Sequence, residues 1–109
     1  MKITTVAEPI ANYIAAANAQ DIDAVAASFN ESAVVRDERQ SRHGIAAIRQ
    51  WATEVGRKYS PTVEVLEVEQ AADKTSLTAR VSGDFPGSPI DLRYVFTLTG
   101  GKIECLEIS

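Results

Sequence analysis

The chain has 109 residues, 45% of them apolar, and a net charge of −4, a size and composition that suit one compact domain spanning 1–109. That acidity excludes a nucleic-acid binder, which needs a basic face for phosphates, and argues against docking on an anionic membrane surface. A single cysteine, Cys105, rules out an internal disulfide framework and makes a reducing, cytoplasmic setting the expectation.

No apolar run approaches the length of a membrane span, and "MKITTVAEPIANY" lacks the apolar centre of a signal peptide. Ile10, Tyr13, Ile14 and Ala17 recur at helical spacing, with helix-favouring alanines between them. The start of this first helix is open between a Thr5/Glu8 capping box and a later start with Pro9 at the first helical position. Asp21 caps a second, short helix whose apolar face is Ile22, Val25 and Phe29, closed by "NES". Ala33 to Val35 is a short β-branched segment, and the polar run from there to His43 predicts a small irregular hairpin. After Gly44 the longest helix carries Ile45, Ile48, Trp51, Ala52, Val55 and Tyr59 on one stripe, and Ser60-Pro61 ends it.

From Thr62 onward the apolar period is two. "TVEVLEVEQ", "TSLTARVSG", "IDLRYVFTLT" and "KIECLEI" read as strands. Their connections, Ala72-Asp73-Lys74, Asp84 to Pro89 and Gly100-Gly101, are short enough for an antiparallel meander. Leu77, Ala79 and Val81, with Leu92, Tyr94, Phe96 and Leu98, form the inner face. Thr78, Arg80, Ser82, Arg93, Val95 and Thr97 form the outer one. The expected fold is an α+β cone: three N-terminal helices packed in a strongly curved antiparallel four-stranded sheet plus a short hairpin. Such a sheet leaves a tapered cavity at one end, where a small ligand fits.

Asp37 shares a strand face with Val35. Facing inward, its carboxylate is desolvated and suited to act as a general base. Facing outward, it is a strand-end acid paired with Arg36, Arg39 or Arg42. Tyr13, on the apolar stripe of its helix, is either a core aromatic with a locally bonded hydroxyl or part of the pocket. Trp51 is likewise core or ligand contact, whereas Tyr59 reads as packing. The expected pocket wall contains Phe29, Val35, Trp51, Val55, Ala79, Tyr94, Phe96 and Leu106, with the only histidine, His43, at its rim. One imidazole with no second one and no cysteine nearby makes no metal site. Glu104 and Glu107 disfavour the Cys105 thiolate, so it is not read as a nucleophile. No phosphate loop or Cys-rich metal spacing is present, and neither a metal nor a cofactor is expected.

"YIAAANAQDIDAVAASFNESAVVRD" followed by "HGIAAIRQW" resembles the nuclear transport factor 2-like superfamily, in particular its SnoaL-like branch. With the four strands and the "GGKI" turn the resemblance spans nearly the whole chain. It implies the cone fold, a small-molecule pocket and pairing of two copies through the outer face of the sheet. It does not imply one activity, because the superfamily includes ketosteroid isomerases, polyketide cyclases, dehydratases and transport adaptors. In the isomerase-like members an aspartate base stands where Asp37 stands, and a tyrosine oxyanion donor where Tyr13 stands. This sequence departs from them twice: the acidic second donor falls at Tyr94, and the tyrosine that supports the first donor falls at Phe29. Two functions therefore stay open. One is a cofactor-free acid/base enzyme acting on a small, mostly apolar carbonyl compound. The other is a non-catalytic ligand-binding or dimeric scaffold module.

Overall fold

The computed structural model describes residues 6–109, with the elements α1 (Glu8–Ala19), α2 (Ile22–Ala27), β1 (Phe29–Asp37), β2 (Gln40–His43), α3 (Ile45–Tyr59), β3 (Thr62–Ala71), β4 (Lys74–Ser82), β5 (Ile90–Thr99) and β6 (Lys102–Ile108). Pro9 stands in the first turn of α1, where its missing N–H leaves no bond unmade. Thr5 lies outside the described residues, so the capping-box alternative is not placed. Asp21 does cap α2, accepting from the Ala24 amide at 3.1 Å. Among the described residues no helix is long and apolar enough to cross a membrane.

Two expectations about the sheet are corrected. It has six strands in the order β2-β1-β6-β5-β4-β3, and it is mixed, because β1 runs parallel to β6. The helices also do not all precede it, since the β1–β2 hairpin lies between α2 and α3. The physical reason is a nine-residue β1 where only a short apolar segment is legible. A register shift between Phe29 and Val34 breaks its alternation. Its polar residues are held by side-chain bonds instead: Asn30 donates to the Thr99 carbonyl and to Glu104, and the Ser32 hydroxyl donates to Glu104. Phe29 therefore opens a strand and is not on the face of α2, which stops at Ala27.

The remaining strands follow the alternation. β3–β4, β4–β5 and β5–β6 are antiparallel. Gly100 and Gly101, both at positive φ, make the tight β5–β6 turn that such a dipeptide favours. The helices lie on the concave face, and Asn18 ties α1 to the edge strand β3 by bonding both backbone groups of Val63, at 2.7 and 3.0 Å. The core is filled by Ile10, Phe29, Val35, Ile48, Leu77, Phe96, Ile103 and Leu106, all fully buried. Tyr13 packs edge-on against Phe29 and Phe96, with ring centroids 5.6 and 5.8 Å away.

Candidate functional site

Strand register decides where the core ends and a cavity begins. Val35, Leu106 and Phe96 form one cross-strand row, closed over by the edge-on Tyr13 and Phe29 rings. Two residues further along the same strands and on the same face stand Asp37, Ile108 and Tyr94, and these line a cavity of about 500 Å³. Trp51, Val55 and Tyr59 of α3 line it as well, as do Tyr13 and Ala17 of α1. The opposite wall is Val63, Val81, Phe85 and Ile90, with exposed Gln20, Glu38 and Arg39 where it meets solvent.

Asp37 sits half-buried at the C-terminal end of β1, beside the hairpin turn, and one of its oxygens, Oδ2, accepts the indole N–H of Trp51 at 3.0 Å. None of the arginines that could neutralise it forms an ion pair with it. Arg36 turns to the outer face and pairs with Glu107 at 3.4 Å, and Arg42 pairs with Glu54 of α3 at 3.3 Å. Burial raises the Asp37 pKa above its ordinary value of 3.8; the indole bond pulls it back, the Glu38 charge raises it, and the Glu38 amide and the Arg42 charge lower it. Desolvation dominates because most of the surrounding wall is apolar.

Two phenols share this space. Tyr13 and Tyr94 are each only 4% exposed, and neither hydroxyl has a hydrogen-bond partner among the described residues. Both residues line the cavity. Burial pushes both phenols up, Tyr13 well above the usual range, with Tyr94 and the Asp37 charge adding to the effect. For Tyr94 the Asp37 charge adds in the same way. Both remain protonated donors at neutral pH. A carboxylate acceptor and two phenolic O–H donors in one apolar cavity can remove a proton from a bound molecule and stabilise the oxyanion left behind.

Of the expected wall residues, Tyr13, Asp37, Trp51, Val55 and Tyr94 meet at this cavity. Phe29, Val35, Ala79, Phe96 and Leu106 lie instead in the closed core. Alternation gives the face a residue occupies but not its depth along the strand. His43 is exposed at the end of β2, opposite Val34 on the outer face. The two-residue turn gives the inward position opposite Val35 to Arg42. Residues missed in the sequence include Glu38, Arg39 and Phe85. The hydroxyl of Tyr59 was missed too, although its place eight residues after Trp51 on one stripe pointed to it. Among the described residues, no group of three or more His, Cys, Asp or Glu is placed to hold a metal ion.

The SnoaL-like domain model matches residues 10–105. The chain belongs to the SnoaL-like family. A Sinorhizobium meliloti protein provisionally assigned as a polyketide cyclase is 38% identical over 95% of both chains, with a TM-score of 0.93. SalBIII, an epoxide hydrolase/cyclase-like enzyme in pyran ring formation in the polyether salinomycin, is 26% identical; the match covers 93% of this chain and 86% of that one, with a TM-score of 0.81. A nuclear transport factor 2-like protein of unknown function from Cytophaga hutchinsonii is 16% identical over 100% of this chain and 93% of that one, at a TM-score of 0.78, which places this SnoaL-like chain in that fold. No curated protein matches the chain in sequence. These structures agree on the fold and on no single reaction.

Proposed function

We propose that this SnoaL-like protein is a cofactor-free acid/base enzyme acting on a small, mostly apolar carbonyl compound, as an isomerase, cyclase or dehydratase. Asp37 takes a proton from the carbon next to the carbonyl, and the Tyr13 and Tyr94 hydroxyls donate to the oxygen as negative charge develops on it. The apolar wall excludes water, which keeps the carboxylate basic and strengthens both hydrogen bonds. The observation that carries this reading is a carboxylate set in an apolar cavity with two phenols, the carboxylate having no ion-pair partner and the phenols no hydrogen-bond partner among the described residues. The family resemblance extends the proposal to a homodimer formed through the outer face of the sheet, where half-buried Thr78, Val95 and Thr97 lie among polar residues.

The test is deuterium incorporation. Small cyclic and aryl ketones are incubated with the protein in D2O, and loss of the α-proton signals is followed by NMR. Wild-type protein is expected to accelerate exchange, and Asp37→Asn to lose about 10²- to 10⁴-fold of that acceleration. A ketone that binds, by shifts at Tyr13 and Tyr94, yet exchanges equally fast with wild type and Asp37→Asn would reject the enzyme and leave a binding module.

A further inference from the structure

Asp37 is followed at once by a turn that its own residues do not favour. Asp37 pairs with Gln40, so the β1–β2 loop is only Glu38 and Arg39. Both have positive φ, 54° and 63°. Two-residue hairpin loops adopt such angles readily with glycine or asparagine, and elsewhere in this sheet Gly100-Gly101 supplies them. Residues with a Cβ adopt them at a cost, as Ala72 does singly in the β3–β4 turn at φ 55°, and here a glutamate and an arginine do so in succession, which the surroundings must support.

The surroundings here are α3. Trp51 donates to Asp37 at 3.0 Å, and the Tyr59 hydroxyl donates to Glu38 Oε2 at 3.0 Å. Two consecutive residues of the hairpin tip are thus bonded to one stripe of one helix, at points about 12 Å apart along its axis. Tyr59 is itself fixed. Its ring stands edge-on to Phe85 at 5.8 Å, and its carbonyl accepts from the Asp84 amide at 2.7 Å. The next loop presses so close that a methyl on Gly83 would fall 2.5 Å from that carbonyl oxygen.

We propose that Tyr59 is a positioning residue for the Asp37 carboxylate, acting through Glu38: its hydroxyl holds the strained Glu38–Arg39 turn against α3, so that Asp37 stays on the Trp51 indole at the cavity wall. Without that bond the turn relaxes toward conformations glutamate and arginine prefer, and Asp37, one residue away, moves with it. The catalytic consequence rests on Asp37 being the base; the positioning itself does not.

The experiment uses the full chain with Tyr59→Phe, which keeps the ring against Phe85 and removes only the hydroxyl. Amide exchange at Glu38, Arg39 and Gln40 is expected to quicken about threefold to tenfold, the range set by one hydrogen bond. The single indole N–H resonance, from the only tryptophan, is expected to shift or broaden as the Asp37 contact loosens. In the deuterium-exchange assay kcat is expected to fall by a similar factor with KM within about twofold, because the aromatic wall is retained. Glu38→Gln keeps an oxygen for the Tyr59 hydroxyl, and its turn exchange is expected to match wild type. Unchanged turn amides in Tyr59→Phe would overturn the proposal, as would an unchanged indole signal beside a loosened turn, or a Glu38→Gln turn as loose as that of Tyr59→Phe. These spectra are read without substrate, so a protein that exchanges no ketone leaves this outcome decided separately.

Discussion

Replacing Trp51 with phenylalanine separates the indole hydrogen bond at Asp37 from the packing of the ring that makes it. The bond is 3.0 Å long and partly buried. A hydrogen bond to a charged group contributes about 1.5–3 kcal/mol, and access of solvent to the half-buried carboxylate places this one at about 1.5 kcal/mol. Trp51 is 5% exposed, and the smaller ring leaves a gap that adds about 1–2 kcal/mol of lost packing. The sum, about 3 kcal/mol, corresponds to a melting temperature lower by about 12–15 °C for a domain of this size.

The two parts separate with pH. Burial raises the Asp37 pKa above the ordinary 3.8, and the indole restrains that rise. The native state then binds more protons than the unfolded state between 3.8 and the raised value, so stability falls as pH rises through that window and is level above it. Removing the indole raises the native pKa further and stretches the window upward. The cost of Trp51→Phe is therefore expected to be only the packing part, about 1–2 kcal/mol, below the window, and to reach about 3 kcal/mol above it. Urea unfolding across the acid-to-neutral range, followed by far-UV circular dichroism because the substitution removes the only indole, measures the difference. A carbon-detected titration of Asp37 checks its cause. A destabilisation that does not vary with pH, or an Asp37 pKa that falls, refutes the hydrogen-bond assignment.

Asp37→Asn keeps a side-chain oxygen for the Trp51 indole and removes the buried charge. It is expected to match wild-type stability in acid and exceed it above the window, by the same unfolding assay. Leu106→Ala, at a fully buried site in the row behind the cavity, is expected to cost about 2–5 kcal/mol while leaving ketone binding within about twofold; weakened binding at retained fold would move Leu106 to the wall. For the outer face, sedimentation at micromolar concentration is expected to give the mass of two chains, and Val95→Asp, set beside Glu107, the mass of one. A wild-type mass of one chain removes the dimer.

The sequence by itself determined the elements whose pattern is local. Helical spacing marked α1 and α3, Asp21 marked the start of α2, and the alternation from Thr62 onward marked four strands and their inner face. It also singled out Asp37 as the carboxylate whose environment matters, because a charged residue two positions after Val35 shares a buried face. Tertiary structure alone decided the rest. The parallel pairing of β1 with β6 joins residues about 70 apart in the chain, through Asn30, Ser32 and Glu104, and polar side chains of that kind carry no strand signal. The cavity wall is a matter of depth: Phe96 and Tyr94, or Leu106 and Ile108, are equivalent in period and differ only in which row the helices cover. The charge state of Asp37 was open for the same reason. Three arginines lie within five residues of it, and only the folded hairpin shows two of them turned to other carboxylates, Arg36 to Glu107 and Arg42 to Glu54, while the indole of Trp51 takes the place beside it. Periodicity encodes which side of an element is buried, whereas register and packing set what each buried residue meets.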